Sequence, residues 1–234
     1  MKLRALFIAA FMSVSVAGMS QAMWILIFGD KLSNDRIQSG INFSAGTVNY
    51  IGFQEAHYAT SWALGGFSEI RINKKSLFFA FDFTVKSPLG ASNLNSYFPD
   101  IIQDTSLLDK QNILIDNVAF SLPLYLKYKT KYVGFGTGAQ LSYIYKSTLR
   151  YSAETTSGQK ITVKSEAKQY LHKFDVGWFA MAEVYLTPSH PKTSLRLGVR
   201  YFIGFLEPLK SFSNIHNSNF MLTVGIPIGG KQSN

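Results

Sequence analysis

Beyond residue 35 the apolar residues recur at every second position, the period of a strand with one apolar face, and not at the three-to-four spacing of helices. In 77–86, Leu77, Phe79, Phe81, Phe83 and Val85 form one face, and Ala80, Asp82, Thr84 and Lys86 the other. In 118–129, Val118, Phe120, Leu122, Leu124, Leu126 and Tyr128 oppose Ala119, Ser121, Pro123, Tyr125, Lys127 and Lys129. In 194–205, Leu195, Leu197, Val199, Tyr201 and Ile203 oppose Arg196, Gly198, Arg200 and Gly204, and in 218–228, Phe220, Leu222, Val224, Ile226 and Ile228 oppose Asn219, Thr223 and Gly225. The segments 36–46, 61–72, 132–146, with Gly134, Gly136, Gly138, Gln140, Ser142 and Lys146 on its polar face, and 173–186 follow the same rule with more interruptions, so the pattern predicts eight strands.

A tilted strand of about 9–11 residues crosses a bilayer, and each segment is of that order. The connections 47–60, 73–76, 87–117, 130–131, 147–172, 187–193 and 206–217 are alternately long and short. That asymmetry belongs to outer-membrane barrels, with short periplasmic turns and longer outside loops. The expected fold is therefore all-β: an eight-stranded antiparallel up-and-down transmembrane β-barrel over 36–234, with both ends on the periplasmic side. Loops 87–117 and 147–172 are the expected surface for protein partners, since binding concentrates in loops held by a rigid scaffold.

Alternation by itself also fits a soluble lipocalin-like barrel with its apolar face turned inward. Three features favour apolar-outward. Trp62, Tyr128, Tyr143 and Tyr145 gather near strand ends, where an interfacial girdle needs aromatic rings. The opposite face is rich in glycine and small residues, as the narrow interior of eight strands demands. It also carries both charge signs, Glu69, Asp82, Asp175 and Glu183 with Arg71, Lys127, Arg196 and Arg200. Sealed in a barrel, these eight would form a charge network, because isolated buried charges cost several kcal/mol each.

Residues 1–22 read as a secretory signal peptide. Lys2 and Arg4 precede an apolar stretch, and Ser20-Gln21-Ala22 is a small-x-small cleavage site. Residues 23–35 then form an N-terminal periplasmic segment. Composition narrows the picture further. The chain has 23 Lys and Arg against 14 Asp and Glu, no cysteine, and 16% charged residues. Thiolate chemistry and disulfides are excluded. The basic residues are dispersed and the chain is exported, so nucleic acid is not an expected partner. Outer-membrane lipid and the anionic head groups of lipopolysaccharide are, through a field that salt would screen.

The stretches Ile27-Phe28-Gly29-Asp30-Lys31, Gly40-Ile41-Asn42-Phe43-Ser44, Leu122-Pro123-Leu124-Tyr125-Leu126-Lys127-Tyr128 and Val133-Gly134-Phe135-Gly136-Thr137-Gly138 resemble the PorT-like outer-membrane β-barrel proteins of the Bacteroidota. The resemblance implies a location in the cell outer membrane and a single barrel, with an association of the group's namesake with protein secretion. It supplies no set of functional residues.

Candidate chemistry is sparse. His57, His172, His190 and His216 show no metal-ligand spacing, and no cofactor is expected. Gly134-Phe135-Gly136-Thr137-Gly138 opens no helix and lacks a dinucleotide fingerprint. His216-Asn217-Ser218 places a base and a hydroxyl on one strand face, as in outer-membrane lipid A deacylases, and makes a lipid-modifying enzyme the alternative reading. Such a pair needs an orienting acid, and no Asp or Glu follows Glu207. The expectation is a non-enzymatic barrel, structural or accessory to transport and secretion.

Overall fold

The computed structural model describes residues 36–73, 76–98, 108–187 and 193–228. The signal peptide and the 23–35 segment lie outside the described residues, as do Asp100, Asp104 and His190. Nine strands form one antiparallel sheet: β1 (Ile37–Ile51), β2 (Ala59–Arg71), β3 (Leu77–Ala91), β4 (Leu108–Lys129), β5 (Val133–Thr155), β6 (Lys160–Glu166), β7 (Phe174–Tyr185), β8 (Arg196–Gly204) and β9 (His216–Ile228). Their order is β4-β3-β2-β1-β9-β8-β7-β5-β6, and β4 also pairs with β5. β5 thus pairs with three strands, β4, β6 and β7, while β6 pairs with β5 alone and each of the others has two hydrogen-bonded neighbours.

The expected eight strands are all present, and β6 is the addition, lying within the expected loop 147–172. The long strands also run further than alternation suggested. β3 continues to Ala91, β4 begins at Leu108 and β5 continues to Thr155, so much of loops 87–117 and 147–172 is sheet. The cause is a phase change. The β3–β4 register shifts between Thr84 and Ser87, and the β4–β5 register shifts between Val118 and Ala119, opposite Lys146 and Ile144. A bulge adds one residue to one strand and reverses which face the next residues take. Lys86 and Lys146, expected on the polar face, therefore turn outward, while Leu89, Ala91, Leu149, Tyr151 and Ala153 turn inward and are buried.

Short connections gather at one end of the sheet, with residues 36 and 228. Side chains pin them. Asn73 Oδ1 accepts from the amides of Ser76 and Leu77, Thr130 Oγ1 accepts from the Val133 amide at 3.0 Å, and Ser194 Oγ accepts from the Thr187 amide at 2.7 Å.

The loop end is closed by an apolar roof. Tyr50, Leu94, Phe98, Ile113, Ile115, Leu149, Tyr151, Leu171, Leu209 and Ile215 pack together there. Asn95 fastens the 3-10 turn Asn95–Tyr97 to β4, donating to Gln111 O at 2.8 Å and accepting from the Ile113 amide at 2.9 Å. Tyr97 lies 4.6 Å from Phe212, and Phe98 lies 5.0 Å from Tyr170, ring to ring. The loops are thereby tied across the opening by these ring contacts and by buried apolar side chains, a fully buried one contributing about 1.5–3 kcal/mol.

Candidate site: a charged interior beneath an apolar roof

One strand displays the whole gradient. From the turn end, the inward residues of β4 are Lys129, Lys127, Tyr125, Pro123, Ser121, Ala119, Asn117, Ile115 and Ile113, all buried. The interior passes from charged, through small and polar, to apolar. Outward, Tyr128, Leu126 and Leu124 are exposed, with Leu122, Phe120 and Val118 continuing the apolar row. Phe43, Trp62, Phe79, Phe135, Leu141, Phe174, Trp178, Leu197, Val199, Phe220, Leu222, Val224 and Ile226 carry it around the other strands. A contiguous exposed apolar belt with charges sealed inside inverts the arrangement of a water-soluble protein. Hydrocarbon around the sheet makes both halves favourable.

Of the eight charged residues singled out from the sequence, four meet near the turn end. Glu69 of β2 is fully buried and accepts from Lys127 of β4 and Arg196 of β8. Lys127 also donates to Glu183 of β7, and Arg196 Nη1 lies 3.8 Å from that carboxylate. Lys129, two residues from Lys127 on the same face, joins them at 3.2 Å from Glu69 and 2.5 Å from Gln38 Oε1. Three cations thus face two carboxylates. Ring faces take up the remaining positive charge. The Arg196 guanidinium sits 4.2 Å above Phe67, and Lys129 Nζ is 5.0 Å from the Tyr185 ring and 5.3 Å from Phe78.

Glycine makes room for this cluster. A Cβ on Gly134 would lie 3.0 Å from Lys127 Cε and 3.2 Å from Glu183 Cγ. Gly134 and Gly136 of β5 are spaces for neighbouring side chains, and Gly138 clears the backbone of Leu124 and Tyr125 on β4.

Deeper inside, Arg200 Nη2 pairs with Asp82 at 2.5 Å, and Asp82 also accepts from Tyr125 Oη at 2.9 Å and Asn42 Nδ2 at 3.2 Å. The other two candidates stand apart from both the cluster and the pair. Asp175 accepts from Asn217 Nδ2 at 2.7 Å beneath the roof, and Arg71 lies 5.4 Å from the Phe78 ring at the turn end. The eight residues therefore divide into a four-residue cluster, one pair and two outliers. Lys129, on the polar row of 118–129 but outside those eight, and the uncharged Gln38, Asn42 and Tyr125 are further members. Their signal was positional, since each lies on the inward row of its strand.

Between these levels, hydroxyls pair with one another, Ser44 with Thr223 and Ser121 with Ser142, both at 2.8 Å. A cavity of about 30 Å³ remains beside Asn42, Gln140, Arg200 and Asn219. That volume suits one or two waters and no organic ligand.

His216 and Ser218 do not assemble a catalytic array. Ser218 Oγ donates to Asn49 O at 3.3 Å, and His216 Nδ1 has no hydrogen-bond partner among the described residues. Asp175 is engaged by Asn217 between them in sequence. At the far end of β5, outside the belt, Lys110 Nζ donates to Glu154 at 2.9 Å and holds that carboxyl below its ordinary range. Among the described residues no group of three His, Cys, Asp or Glu side chains could hold a metal ion.

No protein-family model and no curated protein matches the sequence. Among solved structures, the chain is similar to Ail, the attachment invasion locus protein of Yersinia pestis, at 10% identity and a TM-score of 0.40, covering 82% of this chain and 99% of that one. It is also similar to Neisserial surface protein A, at 17% identity and a TM-score of 0.38, covering 80% and 96%. The functional reading rests on this chain's own inverted polarity, which is that of an outer-membrane β-barrel.

Proposed function

We propose that this protein is a non-enzymatic structural barrel of the outer membrane, in which β1–β5 and β7–β9 close into an eight-stranded up-and-down transmembrane unit. In this reading residues 1–22 are removed on export, 23–35 lie in the periplasm, and the barrel occupies 36–234. The turn end faces the periplasm, and the roof with β6 faces outward, where protein partners in transport or secretion would engage it. The quoted strand stretches support a PorT-like affiliation within outer-membrane barrels.

The observation that carries this reading is the filled interior. Among the described residues, a Glu69–Lys127–Glu183–Arg196 cluster at one end and packed Ile113, Ile115 and Leu149 at the other leave no through-passage. An interior of eight strands is just wide enough for side chains to fill. Reconstituted into planar bilayers, the purified protein is expected to show no sustained conductance. A stable open channel admitting sugars would overturn the filled-barrel reading.

A further inference from the structure

We infer that the outward side of β3–β6, where the apolar belt ends at the loop end, binds the phosphate-bearing head group of an outer-leaflet lipid. This rests on the membrane placement above and assigns residues to it.

Phe83 and Phe120 lie 6.1 Å apart, Phe120 and Tyr145 4.5 Å apart, and Tyr145 Oη donates to Val85 O at 3.2 Å. These three rings form a lipid-facing ladder across β3, β4 and β5. Just beyond it, the two bulges turn Lys86 and Lys146 outward. Lys86 Nζ sits 3.1 Å above the Trp62 ring. Further out, Arg150 of β5 and Lys164 of β6 stand directly opposite each other. Both are on the outward face, because their neighbours Leu149 and Tyr151 are buried in the roof.

Like charges directly opposite on adjacent strands destabilise a sheet. Among the described residues neither Arg150 nor Lys164 nor Lys146 has an ion-pair partner, and Arg150 Nε is buried without a hydrogen bond. The nearby carboxylates on this face are Asp116, Glu154 and Glu166. Glu154 is held by Lys110, and Glu166 by Lys168 at 2.6 Å. Asp116 faces Lys86. Four cations, Lys86, Lys146, Arg150 and Lys164, thus share one uncommitted carboxylate.

An anion with several oxygens, set between Arg150 and Lys164, turns their repulsion into two charge-assisted hydrogen bonds. The ring ladder immediately below specifies a lipid over a free phosphate, because acyl chains laid on Phe83, Phe120 and Tyr145 bring a head-group phosphate to the level of Lys146.

The test uses the folded full chain in detergent, probed by native mass spectrometry with bis-phosphorylated lipid A and with its dephosphorylated form. The wild type is expected to retain the phosphorylated lipid selectively. K146Q/R150Q/K164Q is expected to bind it about a hundredfold more weakly, at about fivefold per basic residue, while K131Q at the turn end binds as the wild type does. Equal retention of the two lipids by the wild type would overturn the inference, and so would undiminished binding by the triple variant. Either result in a chain that still inserts into vesicles leaves the barrel reading standing, whereas failure to insert removes both.

Discussion

Glu69→Gln is expected to lower folding stability by about 3–5 kcal/mol, the cost of removing one partner from a buried ion pair. Glu69 is the only carboxylate in contact with all of Lys127, Lys129 and Arg196 among the described residues. Without it, three cations face Glu183 alone in a space that water reaches poorly. The expected signature is a lower denaturant midpoint for the refolded barrel in detergent micelles or vesicles. A second substitution separates a charge imbalance from a packing defect. Lys127→Met in the Glu69→Gln background removes one of the stranded cations, so the double variant is expected to be more stable than Glu69→Gln alone. Neighbouring sites that share a network are non-additive in this way. Strict additivity of the two destabilisations would show that the cluster does not act as an electrostatic unit.

The second large effect lies on the opposite face. Leu222 is 60% exposed on β9, a site where a water-soluble protein accepts arginine within about 0.5 kcal/mol. In a bilayer the same substitution, near the middle of the belt, is expected to cost about 2–4 kcal/mol. Leu222→Arg should therefore refold poorly into vesicles, while Tyr58→Arg, beyond the belt and similarly exposed, should be nearly neutral. Equal behaviour of the two variants would place the row Phe220, Leu222, Val224 and Ile226 in water.

These contrasts follow from a pattern that was legible where the strands are regular. β9 alternates without interruption from Phe220 to Ile226, and its inward and outward rows fall where the sequence places them. The same holds for β4 between Val118 and Lys129. Legibility ends at the bulges. One extra residue near Lys86 and another near Lys146 reverse the faces, so residues read as lumenal are outside, and Leu89, Leu149 and Tyr151 become interior. A period of two, followed without a phase change, assigns both groups to the wrong side.

The roof was hidden for a different reason. Alternation reports only that one face is apolar, and on the outer reaches of β4 and β5 the apolar face is the inward one. Ile113 and Ile115 read the same in either case. β6 lay concealed because Lys160–Glu166 is short and exposed on both faces, with only Ile161 and Val163 to suggest a strand. The charge network was partly legible, since charge on an inward row is costly enough to require a partner. Which partner depends on strand order and stagger. Glu69 and Arg196 are far apart in sequence and meet only because β2, β4, β7 and β8 direct side chains to one level of the interior. Asp175 shares the inward row yet lies beneath the roof, where Asn217 takes the place of a cation.

A transmembrane barrel requires hydrocarbon against the outward row. Trp178, 44% exposed on β7, reports on it directly once Trp24 and Trp62 are replaced by phenylalanine. In vesicles whose acyl chains carry bromine, the fluorescence of Trp178 is expected to be strongly quenched, while aqueous acrylamide leaves it nearly unchanged. Efficient quenching by acrylamide with none from the brominated chains would put that face in water and contradict the transmembrane barrel.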